Sequence, residues 1–281
     1  MKRILPLSRV DLHLHSTISD GTWTPEQIVA EARRLGMLAI SIADHDHLGG
    51  VEPAVRAAAG SGIEVIPAVE INTDHCDTDV HILGYHIDPT HQPLNRELAR
   101  VRDARLERNR RILKRLEALG CAIEEQRVIE LADGGSVGRP HIAAALVESG
   151  YVGTQAEAFD RWLARDRPGF VERYRLEPAQ AIAHIRKAGG VAVLAHPAKV
   201  RNDQLIPALI EQGLRGIEAY HYDHTAAQAR HYVTLAEQLD LLITGGTDSH
   251  GPNADRPVAM GSVPVPEEVP ALLKQAWERR R

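Results

Sequence analysis

Two histidines one residue apart, in Asp11-Leu12-His13-Leu14-His15, are the first groups in this chain with the look of chemistry. Side chains alternate along an extended segment, so both imidazoles leave the same side and can reach one ion. Further on, His45 lies between Asp44 and Asp46, Glu70 closes Pro67-Ala68-Val69, and His81 opens His81-Ile82-Leu83-Gly84. His196 follows Leu194-Ala195, and Asp248 and His250 fall in Gly246-Thr247-Asp248-Ser249-His250. Taken singly, each is equally well read as a core or surface residue. Their recurrence beside carboxylates points to a metal site. Imidazole and carboxylate without thiolate suit Mn, Fe or Zn in a reactive site rather than a structural zinc. The candidates exceed what one ion can use, so two or three divalent ions are expected, Mn(2+) first, with Zn or Fe as alternatives. Ions close together can clamp a phosphoryl group and deprotonate a water at neutral pH.

The elements that must position these groups alternate along the chain. Apolar runs predict strands over 9–12, 37–43, 63–69 and 80–87, with helices over 24–35 and 51–59 between the earlier ones. Thr24-Pro25 reads as an N-cap followed by proline at the first helical position, and Gly36 as the stop. From 94 to 119 a long Arg-rich amphipathic helix follows, then helical stretches at 124–131, 140–148 and 154–164, with no strand expected between 94 and 167. Alternation resumes with strands over 191–195, 216–219 and 241–244 and helices over 177–188, 204–212 and 226–239. Such units imply parallel strands, right-handed crossovers and a barrel or open sheet. Chemistry in these folds gathers at the C-terminal strand ends. His13, His15, His45, Glu70, His196, Asp248 and His250 all follow predicted strands there; His81 falls inside one.

Composition bounds the rest. The 281 residues suit one large α/β domain or a domain with a modest insertion, and a net charge of −5 supplies no global basic field for long nucleic acid. A short anionic substrate would need a local cluster. No apolar run suits a signal peptide or a membrane span. Cys76 and Cys121 have no metal-type spacing and imply no disulfide, which makes a reducing cytoplasm the expectation.

With the motifs laid out in order, the chain resembles the PHP (polymerase and histidinol phosphatase) superfamily. The matching segments are Asp11–Ser16, Ser19-Asp20-Gly21, Ile42–Asp46, Pro67–Glu70, His81–Gly84, Leu194–Pro197 and Gly246–His250. The resemblance is strongest to a small stand-alone branch with a helical insertion in the same place. It implies an α/β fold, a distorted (β/α)7 TIM-like barrel from 1–93 and 168–281, with an all-helical insertion, or cap, from 94–167. It also implies a trinuclear centre. His13, His15, Glu70 and Asp248 would hold the first ion, Glu70 with His81 and His196 the second, and Asp20, His45 and His250 the third. Asp20, His45, Glu70, His196, Asp248 and His250 would carry the catalysis. The implied reaction is attack of metal-activated hydroxide on phosphorus. It would remove the 3′-phosphate of nucleoside 3′,5′-bisphosphates and trim short 5′-phosphorylated RNA from its 5′ end.

Selectivity needs anchors beyond the metals. The segment 133–141 combines glycines with a helix opening at Pro140, and a helix N-terminus favours phosphate. Ser136, Arg139, His141, Lys199 and Arg173, with Arg175 beside it, are the candidates for a second phosphate. The alternative for each is a solvated loop residue. His221 and His224 are further candidates to line the pocket, whereas His184 and His231 fall within predicted helices. The expected partners are a small phosphorylated nucleotide and short single-stranded RNA, with no membrane and no obligate protein partner. Rival readings are a histidinol-phosphate phosphatase, an amidohydrolase of carbon–nitrogen bonds, and a non-catalytic module of the same fold. A relic of that last kind would be expected to have lost ligands.

Overall fold

In the computed structural model, residues 8–76, 78–132, 137–172, 174, 176–254 and 257–279 are described. They form two compact units, Met1–Leu98 with Leu176–Arg281, and Ala99–Arg175. The larger unit carries eight strands: β1 Val10–Leu14, β2 Ala39–Ile42, β3 Glu64–Val65, β4 Ala68–His75, β5 Thr78–Tyr85, β6 Val191–Leu194, β7 Gly216–His221 and β8 Leu242–Gly246. Strands β1, β2 and β3 make one parallel sheet; β4 to β8 make a second, in sequence order. Isolated bridges link the two sheets, Leu14 to Ser249 and His45 to Glu70.

The helix Pro25–Leu35 starts and stops where the sequence predicts. Thr24 accepts a hydrogen bond from the Gln27 amide, Gln27 caps in return, and Gly36 closes the helix at φ 68°. The expectation of uniformly parallel strands is corrected. β5 runs antiparallel to both β4 and β6; two residues of sequence separate it from β4, too few for the crossover that a parallel pair needs. The predicted strand over 63–69 is likewise two strands. Pro67 lacks the N–H a ladder needs, so β3 ends at Val65 and β4 starts at Ala68. Glu70 therefore lies inside a strand rather than beyond one, and His13 lies within β1. Helices Pro197–Val200 and Val269–Glu278 lie where the sequence reading placed none.

One buried cluster draws on both sheets: Val10 and Leu12 of β1, Ala39 of β2, Leu83 and Tyr85 of β5, and Val191 and Val193 of β6. Tyr85 donates its hydroxyl proton to the Leu12 carbonyl at 3.0 Å, which satisfies the phenol inside this core. A second cluster packs Leu14, Ile40 and Ile42 against Ile28, Val29, Ala32 and Ala54 of the first two helices. The smaller unit has its own core, including Ile112, Leu116, Ile142, Leu146, Trp162 and Leu163. Among its described residues there is no strand.

Candidate metal centre

β1 is buried along its whole length, so His13 and His15 enter the interior with no solvent to satisfy their ring nitrogens. Their Nε2 atoms lie 3.2 and 3.3 Å from Glu70 Oε2, and 3.7 and 3.1 Å from Asp248 Oδ1. Glu70 is the shared element. Its Oε1 meets His81 Nδ1 at 2.7 Å and His196 Nε2 at 2.9 Å, while Oε2 also meets His45 Nδ1 at 3.0 Å. Asp20 faces His15, His45 and His250 at 3.6, 3.7 and 3.3 Å. Every metal-ligand candidate from the sequence is thus brought to one place. Among the described residues five groupings have the spacing to hold an ion: His13, Glu218 and His221; His221, Asp223 and Asp248; His13, His15, Glu70 and Asp248; His15, Asp20, His45 and His250; and His45, Glu70 and His81. In the last, His45 stands where the resemblance put His196, although His196 shares the same Glu70 oxygen.

These residues fit divalent metal by an independent criterion. His13 Nε2, His15 Nε2, His45 Nδ1, Asp20 Oδ1 and Glu70 Oε2 are buried and make no hydrogen bond. Orphaned polar atoms of this kind are costly and rare unless something else satisfies them. Here they are nitrogens and oxygens aimed at one another, the donor set of a borderline metal.

Charge in the centre is strongly coupled. Burial disfavours the charged form of every group and wins at His45 and His196, holding them at about 3 and about 4. At His15 burial is overcome by the nearby carboxylates of Asp248, Glu70 and Asp20, which push it to about 10. His13 is raised too, by Glu218, Glu70 and Asp248 against burial, and His81 by Glu70. The imidazoles in turn hold Asp20, Glu70 and Asp248 below the usual carboxylate range despite burial.

The surrounding backbone is fixed by carboxylates that face no ligand cluster. Asp11 accepts from the Thr247 amide and hydroxyl and from the Gly261 amide, which ties β1 to the loop bearing Asp248. Asp44 accepts from Ser16 and Ser19, holding the turn that leads to Asp20. His196 and Asp248 themselves adopt positive φ, 26° and 53°. Such conformations are costly for non-glycine residues and cluster at functional sites.

Two residues of the centre were not foreseen as members of it. Glu218, fully buried in β7, lies 2.9 Å from His13 Nδ1. His221, at the end of β7, has its Nε2 3.3 Å from Asp248 Oδ2. The available signal was a lone carboxylate inside the apolar run Gly216-Ile217-Glu218-Ala219 and a histidine at that strand's end. Lys199 also reaches the centre, with its ammonium 3.0 Å from Asp248 and 3.1 Å from Asp223.

The remaining anchor candidates lie in the smaller unit. Arg139 heads the helix Arg139–Glu148 and donates to the Leu163 carbonyl at 3.1 Å, with its guanidinium near the rings of Phe159 and Phe170. His141 Nδ1 accepts from the Gly138 amide at 3.1 Å. Ser136, Arg173 and Arg175 lie outside the described residues.

Comparison with known proteins adds three kinds of similarity. Residues 11–161 match the family described as PHP domain. The 3′,5′-nucleoside bisphosphate phosphatase of Chromobacterium violaceum is 31% identical over 277 residues, 96% of each chain. The 5′-3′ exoribonuclease Rnm of Salmonella typhimurium is 34% identical over 250 residues, 86% of this chain and 85% of its own. A solved structure from Bifidobacterium adolescentis, described as a metal-dependent phosphoesterase, matches with TM-score 0.77 at 32% identity over 94% of each chain.

Proposed function

We propose, from the premise that this chain belongs to the PHP domain family, that it is a metal-dependent phosphoesterase acting on nucleoside 3′,5′-bisphosphates and on short 5′-phosphorylated RNA. The carrying observation is Glu70, a fully buried carboxylate whose two oxygens are divided among five imidazoles. A group so placed is a bridge in search of cations. In this reading His13, His15, Glu70 and Asp248 hold one ion, and Asp20, His45 and His250 help hold another. His81 and His196 complete the third position on Glu70. Mn(2+) is the proposed metal. Bound there, divalent ions supply positive charge for phosphoryl oxygens and acidity for a water.

The chain's own residues do the rest. Asp248 and Glu70 orient the imidazoles. Lys199, 40% exposed at its side chain and already paired with Asp248, is placed to hold a phosphoryl oxygen. Arg139 and His141 are proposed to contribute selectivity for a substrate with a second phosphate. The relatives' names support a nucleotide or RNA substrate. The two bridges between sheets support a distorted barrel as the finer description of the α/β fold, and two unpaired cysteines suit a reducing cytoplasm.

The test is phosphate release from a nucleoside 3′,5′-bisphosphate, from histidinol phosphate and from p-nitrophenyl phosphate, each with Mn(2+). The bisphosphate should be the best substrate by kcat/KM. A clear preference for histidinol phosphate would replace the nucleotide reading, and release from none of the three would remove phosphomonoester hydrolysis.

A further inference from the structure

Glu218 is the third residue of β7 and is fully buried. A carboxylate in an apolar strand is strongly disfavoured unless its oxygens are matched by donors. Both oxygens are matched, and by segments remote in the chain. Oε1 takes the hydrogen bond of His13 Nδ1 at 2.9 Å, across 205 residues. Oε2 accepts from the His196 backbone amide at 2.8 Å, across 22 residues.

The choice of partners is what carries the inference. Each donor belongs to a residue whose other end faces Glu70. His13 Nε2 lies 3.2 Å from Glu70 Oε2, and His196 Nε2 lies 2.9 Å from Glu70 Oε1. The His13 imidazole is therefore gripped between an inner carboxylate and an outer one, and His196 is held to the outer one by its main chain. An ionised carboxylate accepts and cannot donate, so it fixes the His13 proton on Nδ1 and turns the Nε2 lone pair inward. At His196 the effect is on the main chain. That residue sits at φ 26°, and the held amide pins the turn that carries its ring back over Glu70.

We propose that Glu218 is the positioning residue of the metal centre, fixing the tautomer of His13 and the backbone turn of His196 at once. The inference rests on the reading that the centre binds divalent metal. Outer carboxylates that orient ligand histidines contribute ten- to hundredfold to metal affinity in general, and an effect of about that size is expected here.

The experiment uses metal-stripped full-length protein and Mn(2+) binding measured by calorimetry. Glu218→Gln retains the side chain's shape but presents one acceptor in place of two. It should bind Mn(2+) roughly ten- to hundredfold more weakly. The visible absorption of the Co(2+)-substituted protein should change, and the circular dichroism of the metal-free protein should not. Tyr85→Phe serves as a control for loss of a buried hydrogen bond. It removes the bond to the Leu12 carbonyl and should lower the melting temperature with Mn(2+) affinity unchanged. Glu218→Asp, which keeps both acceptors on a shorter stem, should lie between parent and Gln, and it carries the test if the Gln variant does not fold. Affinity equal to the parent in the folded variants would overturn the positioning role alone. A parent that binds no Mn(2+) would overturn the metal reading first, and the two failures are told apart by that single control.

Discussion

At Glu70 one side chain touches His13, His15, His45, His81 and His196. Replacing it with glutamine removes the charge and turns one shared oxygen into a donor facing imidazole. Glu70→Gln should lower turnover by roughly a hundredfold or more and reduce bound metal, measured by kinetics alongside elemental analysis. Full metal content with a normal rate would show the assignment is wrong. Lys199 gives a contrasting case. Lys199→Ala should cost about tenfold in kcat/KM, the equivalent of one charge-assisted contact, with metal content unchanged. Most metal-ligand candidates were legible in the sequence because they fall at predicted strand ends, His13 with His15 and Asp248 with His250 as pairs, whereas Asp20 was reached only through the family resemblance. Glu218 was not, since a single Glu in an apolar strand looks like a solvent-facing position until its partner, 205 residues away, is known. Arg139 shows a complementary limit of the sequence. Its charge is obvious in the sequence, whereas its engagement with the Leu163 carbonyl is not.

Elements with strong local punctuation were also readable. Thr24, Pro25 and Gly36 define the first helix through capping chemistry that needs no tertiary information. Thr24→Ala should cost about 1 kcal/mol and lower the melting temperature by a few degrees without affecting activity. The segment 63–87 was less readable. A continuous apolar run carries no sign of strand direction, and the break at Pro67 was hidden within it. A different element-scale device joins β8 to β1. A Cβ at Gly246 would lie 2.4 Å from both Cβ and the backbone nitrogen of His13. Gly246→Ala must therefore displace His13. It should weaken Mn(2+) binding as well as stability, whereas Thr24→Ala should affect stability alone. Unchanged metal affinity in Gly246→Ala would mean that β1 can shift without disturbing the centre.

At the scale of the whole chain, the ligand cluster belongs to one unit, and residues 99–175 form a second, helical one. If the helical unit contributes selectivity, Arg139→Ala should reduce kcat/KM for a nucleoside 3′,5′-bisphosphate by roughly ten- to hundredfold. A p-nitrophenyl ester, which lacks the second phosphate, should be nearly unaffected; equal losses on both would place the damage elsewhere. The net charge of −5 supplies no global field for polyanions, so an anionic substrate would depend on local positive groups. The most direct measurement of the central claim is turnover against bound metal. Metal-stripped protein is titrated with Mn(2+) while phosphate release from a nucleoside 3′,5′-bisphosphate is followed, then chelator is added. The account predicts turnover that rises with metal occupancy and falls to background with chelator. Full turnover by the stripped protein, or in the presence of chelator, would contradict it.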